Sequence, residues 1–192
     1  MMGPSPLTSA GTFLISVAFG FYMVVVLLRF LFQYFRVDFH NPVSRFVVTL
    51  TDPPLRPLRR YLPGWRGLDL ASLVLLLVLS VLEQWLLLLI HGFGGGPAGL
   101  LVLGMAGVLQ LLLNLYLWAI LIQVILSWVN PGLHNPVTHI LYRLVEPVLE
   151  PARRLLPPIS GIDLSPVLVL LLIQLSKILL ISPLLSLGAR LL

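Results

Sequence analysis

The sequence predicts an all-α membrane protein with four transmembrane helices in two parallel tandem repeats. Of its 192 residues 58% are hydrophobic and 10% are charged, and the mean hydropathy is +1.03. A soluble domain carries about 25% charged residues. Four long apolar runs account for this composition, and the segment from Asn41 to Asp69 recurs without a gap from Asn135 to Asp163, an offset of 94 residues. The bilayer therefore replaces much of the core that a soluble chain would need.

The repeated segment divides the chain into two units of the form span, connector, span. Because two spans return the chain to the side on which it started, the repeats are expected to be parallel, related by an axis along the membrane normal. The predicted parts are a tail (1–11), repeat 1 (12–91, with connector 36–69), a Gly-rich extracytoplasmic turn (92–98) and repeat 2 (99–192, with connector 130–163).

About 20 apolar residues suffice to cross the hydrocarbon core of a bilayer. The predicted spans are Thr12 to Phe35, Leu70 to Ile90, Gly99 to Val129, and Leu164 to about Leu187. The third is longer than needed, so we expect it to be tilted or bent. Arg29 is the one charge in the first span, and it lies close enough to the span's end to snorkel to the interface.

Each connector begins with a predicted amphipathic helix. Asn41 suits the N-cap and Pro42 the first turn, and apolar residues follow from Val43 at i, i+3, i+4 and i+7. Pro53-Pro54 is expected to stop this helix, and Pro147 its copy. Such helices lie in the membrane interface. A basic turn then leads to Asp69, which is expected to cap the second span.

The connectors share a pattern of Asn-Pro, an acidic residue before Pro, Pro-x-Arg-Arg-x-x-Pro, and Gly-x-Asp. Its recurring residues are Asn41, Pro42, Pro53, Pro57, Pro63, Gly67 and Asp69 in the first copy, and Asn135, Pro136, Pro147, Pro151, Pro157, Gly161 and Asp163 in the second.

Over nearly the whole chain this paired pattern resembles the YggT family of small integral membrane proteins, in its two-repeat bacterial form. The resemblance implies a bacterial inner-membrane protein without established catalysis. Members of that family have been connected with tolerance of osmotic shock and cation uptake, with cell-division neighbourhoods, and with plastid cytochrome assembly and nucleoid distribution.

The distribution of arginines predicts the orientation. Nine lie in the connectors and one, Arg190, lies on the opposite side. The positive-inside rule places both connectors in the cytoplasm and both termini outside. The connector arginines expected to contact anionic lipid head groups, at about 1 kcal/mol each, or a cytoplasmic or membrane protein partner, are Arg56, Arg59, Arg60, Arg153 and Arg154.

Polar residues inside the spans predict an intramembrane cluster. Glu83 and Lys177 occupy equivalent positions of the two repeats and hence the same depth, so we expect them to form an ion pair near the pseudo-twofold axis. An unpaired charge there costs at least about 2.5 kcal/mol. The predicted cluster comprises Ser80, Glu83, Gln110, Asn114, Gln174 and Lys177. It either fixes helix packing, lines a path for ions or protons, or pairs subunits of a homo-oligomer.

Catalytic and metal-binding patterns are absent from the sequence. There is no cysteine, and His40, His91, His134 and His139 lack the spacing of metal ligands. No phosphate loop or dinucleotide fingerprint occurs. The net charge of +5 comes mainly from the connectors, so it does not indicate nucleic acid. We therefore predict neither an enzyme nor a metal or cofactor site.

Two functions remain open at this stage. The first is a non-enzymatic scaffold or assembly factor of the cell envelope, and an exposed apolar groove at the connectors would favour it. The alternative is an ion-handling protein of osmotic-stress tolerance, such as a cation transporter or channel. A wet path lined by the polar cluster would favour the alternative.

Overall fold

The computed structural model describes residues 5–38, 41–65, 67–129, 135–156 and 163–192. In this part of the chain the regular structure is helical. The helices are α1 (Pro6–Tyr34), α2 (Pro42–Tyr61), α3 (Leu70–Ile90), α4 (Pro97–Val129), α5 (Pro136–Leu155), α6 (Ser165–Ser176), a π-helical turn (Lys177–Ile181) and α7 (Ser182–Arg190). Helices α1, α3 and α4 and the continuous stretch Ser165–Arg190, called the last span, are long and apolar enough to cross a membrane. The predicted four-span fold is confirmed.

The spans pack in series. Helix α3 packs against α1 and α4, and α4 packs against the last span. Both connector helices lie at one end, where the Asn41 amide nitrogen donates to the Pro136 carbonyl at 3.4 Å. At the other end the Gly96 N–H donates to the Leu192 carbonyl at 3.1 Å, so the C-terminus lies against the turn between α3 and α4. This is the parallel arrangement that the repeat predicts.

Each repeat has its own apolar core. The first joins α1, α2 and α3 through fully buried side chains such as Val26, Phe32 and Leu76. The second joins α4, α5 and α6 around Ile120 and Leu149. The first core also takes in Ile140 and Leu144 of α5, so the second connector helix bridges the two repeats.

The predicted stops at Pro53-Pro54 and Pro147 are wrong, because α2 continues to Tyr61 and α5 to Leu155. A proline inside a helix lacks its N–H and displaces the carbonyl four residues earlier. These prolines are tolerated because Pro53, Pro57, Pro147 and Pro151 lie on the exposed faces of their helices.

One carbonyl released by the prolines finds a partner within the protein. Pro54 cannot donate to the Leu50 carbonyl, and this oxygen instead accepts a hydrogen bond from the Tyr22 hydroxyl of α1 at 3.3 Å. The continuous α2 is therefore tied to the first span at the point where proline weakens it.

The last span changes geometry at Lys177. The Ser182 N–H donates to the Lys177 carbonyl five residues back, which closes a π-helical turn. Pro183 follows directly, has no N–H, and its ring excludes the Leu179 carbonyl from the ordinary position. A proline inside the span thus explains the local departure from α-helix.

Small residues allow α3 and α4 to approach closely. A Cβ added to Gly104 would overlap Val81, and one added to Gly107 would overlap the Ser80 hydroxyl. Glycine at helix contacts is a common device of membrane proteins, since association there depends on close packing. The joint between the two repeats is therefore a glycine contact.

Candidate functional site

An ion pair closes the connector of repeat 1. Arg59 near the end of α2 donates to the Asp69 carboxylate at 2.6 Å, and the Ser72 hydroxyl donates to the same oxygen at 2.6 Å. Arg59 also donates to the Gln33 side-chain oxygen of α1 at 3.3 Å. Asp69 is 3% exposed. This repeat-1 clasp, Arg59 with Asp69, ties α1, α2 and the start of α3 together.

The same ion pair recurs in repeat 2. Arg153 donates to the Asp163 carboxylate at 2.8 Å and also pairs with Glu146. The second Asp163 oxygen accepts from the Ser165 N–H at 2.9 Å. About a third or more of the side chains of Arg153 and Asp163 stays exposed (36% and 39%). We call this pair the repeat-2 clasp.

The clasps shift the pKa values of their carboxyl groups in one direction. Burial disfavours the charged form of Asp69, but hydrogen bonds from Arg59 and Ser72 outweigh it and hold the pKa of this carboxyl below its usual value. Burial likewise opposes ionisation of Asp163, and hydrogen bonds from Ser165 and Arg153 still lower its pKa. Both aspartates are therefore stabilised as carboxylates.

Arg29 has a partner within the protein that the sequence did not predict. Arg29 is buried, with 7% of the residue exposed, and it pairs with Asp52 of α2 at 3.3 Å. Asp52 lies on α2 just before its prolines, and the packing of α2 against α1 brings it to the first span, where it supplies the opposite charge. The equivalent of Arg29 in repeat 2 is Gln123, which is also buried.

The five connector arginines predicted to bind lipid or a partner separate into two groups. Arg59 and Arg153 form the clasps, a role that the sequence reasoning missed. Arg56 and Arg154 are exposed, and within the part of the chain that the structure describes each pairs with an acidic residue four positions earlier. Arg60 is exposed and has no ion pair within the described residues. Contact with lipid head groups stays a prediction for these three exposed arginines.

The residues of the predicted polar cluster are not joined by hydrogen bonds or ion pairs among the described residues. Ser80 is buried against Gly107. The half-buried members are Glu83, Asn114 and Lys177, and the exposed ones are Gln110 and Gln174. The expected Glu83–Lys177 ion pair is not formed within the chain, because α4 packs between α3 and the last span and separates the two charges.

The motif residues mainly shape the connectors. Asn41 accepts from the N–H groups of Val43 and Ser44, and Asn135 forms a reciprocal capping box with Thr138. Gly67 takes a positive φ of 86°, which glycine adopts without steric cost. Pro42 and Pro136 open the two helices, and Pro63 follows α2. Pro157 and Gly161 lie outside the described residues.

Asp69 occupies the predicted N-cap position of α3, but its side chain makes no capping hydrogen bond. Its carboxylate is held by Arg59 and Ser72 instead. Within the described residues, to which His40 and His134 do not belong, no group of three or more potential metal ligands occurs.

An apolar groove of about 380 Å³ lies between the two repeats. We call it the inter-repeat groove. Its walls are the spans α1 and α4 and the connector helices α2 and α5, and among the described residues Asn114 is the one amide side chain that lines it. The other lining residues are Val24, Leu28, Phe32, Val43, Leu111, Leu115, Trp118, Ala119, Ile122, Val137, Ile140, Leu141 and Leu144.

Comparison with known proteins finds the repeat again. The family model described as CCB3/YggT matches residues 8–90 and 102–184, with the same offset as the repeated segment. "Uncharacterized protein PA0392" of Pseudomonas aeruginosa is 40% identical over 178 residues, 92% of this chain and 90% of that protein. "Uncharacterized protein YggT" of Escherichia coli K12 is 39% identical over 165 residues, 84% of each chain. No solved structure matches.

Proposed function

The chain belongs to the CCB3/YggT family, and on that premise we propose that it is a non-enzymatic inner-membrane scaffold or assembly factor that holds a partner protein. The observation that carries the proposal is the inter-repeat groove. It is apolar, it extends from the spans to the connector helices, and it has the size of a ligand or helix side-chain site.

A transmembrane helix of a partner protein is the occupant that we propose. An acyl chain could fill the apolar walls, but it offers nothing to Asn114, whose amide has no hydrogen bond among the described residues. Asparagine side chains bond across helices in membranes. A helix that carries a polar residue at this depth would cover the walls and satisfy the amide together.

The clasps support a scaffold because they fix the platform around the groove. Each ties the end of a connector helix to the start of the following span, and the same two helices line the groove with Val43 of α2 and Ile140 of α5. The positive-inside rule supports an orientation with both connectors in the cytoplasm. The exposed arginines Arg56, Arg60 and Arg154 would then face the anionic leaflet.

A photocrosslinking experiment tests the partner helix. The photoreactive residue benzoylphenylalanine replaces Trp118, an exposed groove residue, in cells that express the protein at native level. The matched control places it at Ile178, an equally exposed residue of the last span outside the groove. We expect a discrete adduct at position 118 whose peptide maps to an apolar helix of another protein, and none at position 178.

The same crosslinking experiment is repeated in the Asn114→Leu variant. Interhelical hydrogen bonds contribute about 0.6–2 kcal/mol, so the adduct should fall about threefold or more if Asn114 recognises the partner. Adducts of lipid alone would contradict a protein occupant. An adduct of the protein with itself would identify a second copy and contradict a distinct partner.

Ion handling in osmotic-stress tolerance is the second candidate, because of Glu83 and Lys177. Both are half-buried in the spans and neither has an ion-pair partner among the described residues. An unpaired charge in a membrane is costly, and such residues often belong to ion pathways or to contacts between subunits. A homo-oligomer could therefore pair them or enclose a path.

Flux into liposomes tests this candidate. Purified protein is reconstituted, and potassium and sodium uptake is compared with empty vesicles and with Glu83→Gln. Flux above the empty vesicles that the substitution alters would support a pathway. Folded protein without flux would leave the two charges to helix packing or subunit contact.

A further inference from the structure

A second cavity, of about 420 Å³, opens between α1 and α2. Its lining consists of Arg29, Gln33, Arg45, Val48 and Thr49, and we call it the basic pocket. Arg29 lies five residues before the end of α1 at Tyr34, which is about 7.5 Å at 1.5 Å per residue. The pocket thus lies where a span meets its interfacial connector helix.

Positive charge predominates around the basic pocket. Arg29 and Arg45 bring two guanidinium groups to its wall. Asp52 pairs with Arg29 and also accepts from Arg56, and the Asp69 carboxylate acts on Arg29 as well, so the uncompensated charge at the wall is that of Arg45. Arg45 is exposed and has no ion pair among the described residues. The pocket therefore attracts an anion.

The hydrogen-bonding groups of the basic pocket are mainly donors. The Gln33 oxygen already accepts from Arg59, so the amide NH₂ of Gln33 is the group left for a ligand. The Thr49 hydroxyl donates to the Arg45 carbonyl, which holds Thr49 in place on the helix. Guanidinium and amide donors together match the oxygens of a phosphate group.

We propose that the basic pocket binds the phosphate of an anionic phospholipid. The buried guanidinium of Arg29 and the exposed one of Arg45 contact the phosphate oxygens, and Val48 lies beside the first acyl carbons. The site adds to the diffuse attraction proposed for the exposed connector arginines and does not depend on the inter-repeat groove. A soluble phosphate has the same chemistry, and the experiment separates the two sources.

Repeat 2 lacks the groups that make this site. The residues equivalent to Arg29, Gln33 and Arg45 are Gln123, Ser127 and His139. The guanidinium groups of Arg29 and Arg45 therefore have no counterpart, and the arginine at the corresponding place, Arg143, stands where repeat 1 has Thr49. We expect one phosphate site in each chain, in repeat 1.

The test measures binding to purified protein in phosphate-free detergent. Native mass spectrometry and thermal shift are recorded with dioleoylphosphatidylglycerol, with dioleoylglycerol, which lacks the phosphate, and with inorganic phosphate. We expect one phosphatidylglycerol per chain and a raised unfolding temperature, and neither effect with dioleoylglycerol. Binding of inorganic phosphate with equal affinity would assign the site to a soluble ligand and overturn the lipid proposal.

Substitutions locate the site. Arg45→Gln should weaken phosphatidylglycerol binding about tenfold, since it removes a guanidinium group, with its positive charge and its two parallel N–H donors. Arg60→Gln, which removes an exposed charge from the same helix outside the pocket, should change it less than twofold. Equal losses in the two variants would show diffuse attraction and overturn the proposal. Arg45→Lys, which keeps the charge, tests the same pocket should Arg45→Gln not fold.

Discussion

The two clasps are the same ion pair in two different environments. In repeat 1 the Asp69 carboxylate is buried and shared by Arg59 and Ser72. In repeat 2 Asp163 and Arg153 are both more than a third exposed. The repeat thus preserves the connection between connector and span, while the surroundings determine how much the connection contributes to stability. A buried charge that loses its partner is costly, whereas an exposed pair contributes little.

The largest expected effect comes from breaking the buried clasp. Asp69→Asn leaves Arg59 without its carboxylate beside α1 and α3, and we expect a loss of about 3 kcal/mol, the scale for breaking a buried pair. The measurement is chemical unfolding in detergent, followed by tryptophan fluorescence.

Asp163→Asn is the matched change in repeat 2. Solvent screens this pair, and Arg153 retains Glu146, so the loss should stay below about 1 kcal/mol. If the two variants lose the same stability, burial does not distinguish the clasps and the comparison fails.

Next in size is Arg29→Gln, which gives repeat 1 the residue that repeat 2 has at the equivalent position. Asp52 then keeps only the exposed Arg56, and we expect a loss of about 1–3 kcal/mol in unfolding free energy. Gln123→Leu, at the buried equivalent without a charge, serves as the control and should cost less. A larger loss at Gln123 would contradict a stabilising role for the Arg29–Asp52 pair.

Acid should remove the contribution of the buried clasp. Because the pKa of Asp69 is lower in the folded protein than in the unfolded chain, its stabilisation is complete above the unfolded value of about 4 and is lost as the pH falls through the folded value. The difference in unfolding free energy between the wild type and Asp69→Asn should therefore be constant from pH 7 to about 5 and shrink below pH 4. A difference that grows on acidification would contradict the lowered pKa.

The four spans could be predicted from the sequence because they depend on the length of the apolar runs. The repeat could be predicted because the same residues recur at a fixed offset. The repeat-1 clasp could not be predicted, because it requires α2 to continue through Pro53 and Pro57. The general rule that proline ends a helix predicts that α2 stops there. Once the helix continues, Arg59 lies beside Asp69. The fixed ten-residue spacing between the arginine and the aspartate in both connectors was the signal in the sequence.

The predicted ion pair between Glu83 and Lys177 is not formed for a different reason. Equivalent positions in parallel repeats are expected to share a depth, and that expectation led to the predicted pair of Glu83 and Lys177. Depth does not determine which helices are neighbours. Since the repeats pack in series, α4 lies between the two charges, and neighbour order of this kind follows from contacts such as that of Gly107 with Ser80 rather than from periodicity.

The smallest expected effect on stability comes from removing one tyrosine hydroxyl, at equivalent positions of the two repeats. Tyr22 donates to the Leu50 carbonyl that Pro54 leaves without its helical donor. Its equivalent, Tyr116, makes no hydrogen bond among the described residues. Tyr22→Phe should therefore cost about 1 kcal/mol, the usual net contribution of one hydrogen bond, and Tyr116→Phe close to nothing. Unfolding in detergent measures both, and hydrogen exchange of the α2 amides shows whether the loss is local. Faster exchange around Thr51 in Tyr22→Phe alone would identify this bond as the support of a proline-containing helix, and equal effects of the two variants would contradict it.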